Sequence, residues 1–236
     1  MTLHTTQQAI PYITTISHVR EVNLYGTADL PFWQDRLREV GLAPYAEDGS
    51  AHLLLSGTDL AWQGIRFQEF VISIFVCQSR DSAAPDGVYL VHAFNSSRML
   101  AWMERAFFQT PYAFRAVQIE TSAPASVTLS GPAGAAFRAT MGSATTCLRS
   151  EESIWENPIY LPERGATPQR SRRRFFVRLG GPTEIYPSTT SDTLEIRPAE
   201  RDTALRQLVD SRFTIKEWRI GRDATHARSR TYSFGA

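Results

Sequence analysis

The chain has 236 residues, 42% of them hydrophobic and 21% charged, and a formal net charge of +1. That length can bury a substantial core, and the composition is that of an ordinary globular protein. Near-neutrality removes any general attraction for nucleic acid or for an anionic membrane. Of the 25 basic residues only Lys216 is a lysine, so a mechanism that needs a side-chain amine has one candidate. Cys77 and Cys147 stand far apart and in no CxxC spacing, and read as small buried hydrophobes of a reducing compartment. No apolar run reaches the length of a membrane span, and residues 1–15 carry neither a basic nor an apolar leader segment. A cytoplasmic protein is the expectation.

In chain order, residues 1–15 read as a loose N-terminal segment, and 18–25 as a strand that alternates polar and apolar. Residues 29–40 predict a helix, with Asp29 as cap, Pro31 in the first turn and Gly41 at the stop. Residues 66–77 form the strongest strand pattern, apolar on both faces beyond residue 70. Residues 88–94 follow as its hairpin partner. A second helix opens at Asn95, Ser96 or Ser97, buries a stripe of Met99, Trp102, Met103 and Ala106, and ends before Pro111. Strand-like runs follow at 114–119, 125–129, 136–141, 174–179, 193–196 and 213–220, with a third helix over 199–210. The proline-rich stretch 150–171 reads as a long loop or flap. Many strands and few helices imply an α+β chain on a large, mostly antiparallel sheet, in one domain spanning 1–236.

Glu69 carries the most chemistry. Counting by two, it shares a strand face with Phe67, Val71, Ser73, Phe75 and Cys77. A carboxylate there must be paired, protonated, or used for acid/base work. A structural Glu–Arg pair and a catalytic acid/base both fit. Arg66, Arg98 and Arg105 are the candidate partners, each shaped for bidentate contact with a carboxylate or enolate. His92, with Leu90 and Phe94 on its face, reads as a core histidine or a wall of the site. The histidines show no HxH or HExxH spacing, and no GxSxG, P-loop or GxGxxG pattern is present. No metal and no cofactor are therefore expected. The basic run at 170–174 reads as a solvated edge.

The block from Gly64 to Glu69, through Tyr89–Phe94, to Arg105–Tyr112 resembles the core of the acetoacetate decarboxylase superfamily. The resemblance implies a cone-like β-barrel with a few flanking helices, and a buried cavity holding Glu69. Arg105, Phe108 and Pro111 match the arginine, tryptophan and proline of that family's motif, but its Schiff-base lysine falls on Tyr112. Imine chemistry is thus not carried over. The resemblance leaves a cofactor-independent step on a small carbonyl or keto-acid metabolite: a lyase, isomerase, cyclase or dehydratase reaction. Glu69 would move the proton, and Tyr112 would donate to the developing oxyanion. Arg66 or Arg105 would anchor an anion, with Arg98, His92 and Phe108 nearby. Two alternatives stand beside it, a non-catalytic small-molecule-binding protein on the same scaffold and a structural subunit of a larger assembly. The partner expected is a small molecule, with neither nucleic acid nor membrane. Homo-oligomerisation stays open, since superfamily members commonly assemble.

Overall fold

The structure is a computed structural model that describes residues 10–78, 82–132, 134–143, 145–162 and 171–235. Strand β1 (Tyr12–Asp29) leads into helix α1 (Leu30–Arg38), short strands β2 (Ala43–Pro44) and β3 (Ala46–Glu47), and the long hairpin β4 (Ser50–Trp62) and β5 (Ile65–Cys77). Then come β6 (Gly87–Asn95), helix α2 (Arg98–Met103), a π turn over Glu104–Phe108, and β7 (Tyr112–Phe114). Four strands, β8 (Val117–Glu120), β9 (Ser126–Gly131), β10 (Gly134–Thr140) and β13 (Thr193–Ile196), make a separate sheet. Strands β11 (Arg149–Leu161) and β12 (Ser171–Pro187), helix α3 (Thr203–Asp210), β14 (Thr214–Ser229) and β15 (Tyr232–Gly235) complete the chain.

The large sheet runs β5-β4-β1-β14-β12-β11-β6, and β5 also pairs with β6, so seven strands close into a ring. All of these pairings are antiparallel except β6 with β11. The α+β, mostly antiparallel expectation holds. The four-stranded sheet covers the outer face of β1, β4 and β5. There Phe70, Ile72, Leu53, Leu55 and Leu24 join Val127, Leu129 and Phe137 in one buried cluster. Phe70 and Phe137 have ring centroids 4.7 Å apart. Gly57 permits this contact, since a Cβ there would stand 2.9 Å from the Val127 side chain. A buried Phe or Leu contributes about 1.5–3 kcal/mol, so this seam is a main source of stability.

Local signals explain most boundaries. The Phe32 N–H donates to Asp29 Oδ1 at 2.7 Å, Pro31 lies in the first turn of α1, and Gly41 takes a left-handed φ of 62° after it. Helix α3 is capped by Asp202, three residues inside the predicted start at 199.

Four expectations are corrected. Residues 12–15 are not loose, because they pair with the end of β14; residues 1–9 lie outside the described residues. Residues 149–161 form a strand rather than a flap, while 163–170 lie outside the described residues. Pro158 suggested a break, but β11 meets β6 only at Ile159 and Tyr160. A strand with one largely open edge tolerates a proline. The predicted strand 114–119 is two strands, β7 and β8, in different sheets. In α2 the inward residues are Leu100, Ala101 and the expected Met103, while Met99 and Trp102 are 49% and 54% exposed. The inward stripe continues to Glu104 and Phe108, so its glutamate hid it from a count of apolar spacings.

Candidate active site

The ring encloses a cavity of about 320 Å³. Alternation along β5 turns Phe67, Glu69, Val71 and Ser73 into it, and Phe70, Ile72 and Ile74 toward the second sheet. Glu69 pairs in register with Thr58 on one side and Asn95 on the other. Asn95, fully buried, donates from Nδ2 to Glu69 Oε1 at 2.9 Å and accepts the Ser97 N–H on Oδ1 at 2.7 Å. Ser97 in turn caps α2, so the amide that orients Glu69 is itself fixed by the start of the helix. Tyr112 donates from its hydroxyl to Glu69 Oε2 at 3.1 Å.

The π turn brings Glu104 to the same end of the cavity. Its Oε2 accepts from Thr110 Oγ1 at 2.8 Å, and its Oε1 from Arg228 Nη1 at 2.7 Å. The Arg228 guanidinium lies over the rings of Phe108 and Phe175, 4.6 and 4.1 Å from their centroids. Its Nε and Nη2 are buried and have no hydrogen-bond partner among the described residues.

These surroundings set the proton affinities. Burial, reinforced by the Glu104 charge, pushes the Glu69 carboxyl up from its ordinary 4.5 to about 7, against the opposing pull of Tyr112, Asn95 and Arg228. Burial beside Glu69 and Glu104 raises the Tyr112 phenol well above its ordinary value, so it stays a donor at neutral pH. Glu69 can then give or take a proton near pH 7, with a neutral hydroxyl and a cation beside it.

The predicted residues divide. Glu69, Tyr112 and Phe108 line this cavity together, while Arg66, Arg98, Arg105 and His92 do not. Arg66 is exposed and holds Asp59 through Nη2 at 2.7 Å and Nε at 3.0 Å. Arg98 is exposed over the Phe114 ring, at 4.6 Å. Arg105 is exposed on the π turn. His92 pairs with Ile72 and packs edge-on to Phe94, with centroids 4.7 Å apart. A register shift between Ile72 and Ser73 turns Leu90 to the cavity and breaks the face it was expected to share with His92. Burial lowers the His92 imidazole's proton affinity.

Sequence reasoning missed Arg228, Glu104, Asn95 and Glu21 as members of the cavity wall. The apolar pattern of the late strand stops at Ile220, whereas β14 runs to Ser229 and carries His226 and Arg228 inward. No apolar alternation marks that stretch, since Thr225, His226 and Arg228 are all polar. Among the described residues no group of three or more His, Cys, Asp or Glu is placed to hold a metal ion. No helix among them is long and apolar enough to cross a membrane.

No protein-family model matches the chain, and no curated protein matches it. Solved structures do. An acetoacetate decarboxylase aligns over 100% of this chain and 95% of its own, at 14% identity and a TM-score of 0.63. The fold is that of acetoacetate decarboxylase. The acetoacetate decarboxylase of Legionella pneumophila aligns over 96% of this chain and 88% of its own, at 12% identity and a TM-score of 0.63. The enduracididine biosynthesis enzyme MppR, with HEPES buffer bound, aligns over 98% and 91%, at 13% identity and a TM-score of 0.64. MppR is also known complexed with pyruvate, and with the condensation product of pyruvate and imidazole 4-carboxaldehyde. In this chain, which shares that fold, the lone lysine, Lys216, is exposed on β14 and does not line the cavity.

Proposed function

We propose that the protein is an enzyme for a small keto acid, working by acid/base chemistry at Glu69 without an imine. The observation that carries this reading is a carboxyl poised near neutrality in an apolar cavity, held by Asn95 and Tyr112. In its ionised form Glu69 removes a proton from the carbon next to the carbonyl. The electron pair moves onto the carbonyl oxygen, and Tyr112 donates a hydrogen bond to the enolate that forms. Protonated Glu69 then returns the proton, at the same carbon or at a neighbouring one. The unmet N–H groups of Arg228 supply the anchor for the substrate carboxylate, the role first sought in Arg66 and Arg105. Leaving such donors unmet in a buried site costs about 1–3 kcal/mol each, which an anion would offset. Return of the proton at the same carbon gives exchange, and at a neighbouring carbon an isomerase step. Where the enolate instead expels a β-hydroxyl as water, protonated by Glu69, the step is that of a dehydratase. Expulsion of another β leaving group makes it a lyase, and attack of the enolate carbon on an electrophile within the substrate makes it a cyclase. That MppR binds pyruvate supports the keto-acid assignment.

One observation favours a binding protein instead: both Glu69 oxygens already carry hydrogen bonds, so the group is held as well as poised. Proton NMR in D2O separates the two. The enzyme reading expects exchange of the protons beside the carbonyl of a 2-oxo acid with the wild type and none with Glu69→Gln. Saturable binding with no exchange and an unaltered ligand would establish the binding protein.

A further inference from the structure

The polar groups of the cavity fall into two sets, and the chemistry above uses one. The second follows the same row of the sheet. Glu69 pairs with Thr58, and Thr58 with Glu21, across β5, β4 and β1. All three line the cavity. Adjacent strands lie about 4.8 Å apart, which puts Glu21 about 10 Å around the wall from Glu69 at the level of the backbone. Glu21 is buried, with its Oε2 2.9 Å from His226 Nε2. Gly221 makes room for this carboxylate, because a Cβ there would stand 2.9 Å from Glu21 Oε1. The Thr58 hydroxyl, also buried, has no hydrogen-bond partner among the described residues. Leu54, Leu60, Val71 and Leu179 supply apolar wall around these groups.

A carboxylate in such an enclosure needs donors. His226 meets one oxygen of Glu21, and among the described residues neither Thr58 nor Glu69 is bonded to the second. We propose that Glu21, held by His226, forms with Thr58 a second subsite that takes a hydrogen-bond-donating group, a hydroxyl or an amine. That group sits at the far end of the keto acid whose head Glu69 and Arg228 hold. The inference rests on the keto-acid reading and narrows it: the substrate is extended, with an apolar middle and a donor tail, and is longer than pyruvate.

Calorimetric titration tests it with two ligands of equal length, 6-hydroxy-2-oxohexanoate and 2-oxoheptanoate, the second ending in a methyl. Wild type binds the hydroxyl-ended acid about tenfold more tightly, the order expected for one buried hydrogen bond. Glu21→Gln and Thr58→Val each erase that preference while affinity for the methyl-ended acid stays unchanged, which also shows that both variants are folded. Equal affinities in wild type, equal weakening of both ligands in each variant, or no binding of either at millimolar concentration overturns the subsite. The same ligands followed by NMR keep the two readings apart. A preference without reaction leaves the subsite and removes the enzyme; reaction without a preference does the reverse.

Discussion

The two faces of β5 differ in kind, although their residues alternate in one strand. Outward, Phe70, Ile72 and Ile74 are fully buried against the second sheet and carry no polar atom. Inward, Glu69 and Ser73 interrupt Phe67 and Val71 around the cavity. The outer face is what a fold needs. The inner face costs stability, since a carboxyl pushed up to about 7 marks an environment that resists its charge. The contrast separates residues that hold the structure from residues that the structure holds.

The sharpest way to break this comparison is to change one residue on each face. Glu69→Gln should cut turnover by about 10²–10⁴-fold, the usual worth of a positioned acid/base, with substrate affinity nearly kept. Phe70→Ala, one residue along, should cost about 3–5 kcal/mol of stability in denaturant titration. Its remaining folded fraction should keep its activity per molecule. Should the two variants exchange outcomes, the division of β5 into a structural and a chemical face is wrong.

A pH series sharpens the same contrast. Below its ordinary value of 4.5 the Glu69 carboxyl is protonated in both folded and unfolded states, and it costs nothing. Between 4.5 and about 7 the unfolded chain gives up this proton while the folded one keeps it. Stability therefore falls as pH rises across that window, by about 3 kcal/mol in all, and levels off above it. Melting of wild type and Glu69→Gln at pH 5 and pH 8 measures the effect; the variant should lack the wild-type decline. Identical declines would mean that Glu69 titrates normally.

Smaller effects compare two arginines. Arg228→Met should weaken binding of a 2-oxo acid by about tenfold, the worth of a single charge-assisted hydrogen bond. It should also move the apparent Glu69 pKa further up, because a cation that favours the ionised form is gone while Glu104 remains. Arg105→Met, on the exposed side of the π turn, should leave both the binding constant and the pH profile where they are. A pH profile unmoved by Arg228→Met would take that guanidinium out of the site.

The fold was legible where periodicity is strong and unbroken. Strand β5, its hairpin with β6 and the capped helix α1 follow directly from apolar alternation and from Asp29, Pro31 and Gly41. Counting by two along β5 also put Glu69 on the face that proves to line the cavity. Legibility stopped at three kinds of irregularity. The register shift at Ile72 re-phased β6 and moved His92 off the expected face. An inward glutamate broke the apolar stripe of α2 before the π turn that presents Glu104. Gly221 and the charges Arg222 and Asp223 in β14 disguised the stretch that delivers His226 and Arg228. A sequence motif marks one wall of a cavity, and the opposite wall comes from distant chain that no local pattern links to it.

That distance has a kinetic consequence. The ring closes through β1 and β14, where Tyr12 lies opposite Ser229 and Thr14 opposite Arg228. Loop closure over such a separation is entropically late and slow, and β topologies of this kind fold in about milliseconds to seconds. Until β14 docks, Glu69 has neither Arg228 nor the cavity's far wall, and the apolar interior of the open sheet faces water. During synthesis a nascent chain therefore carries the Phe70, Val127, Leu129 and Phe137 part of the outer seam before it carries a pocket, and competence for binding waits for β14.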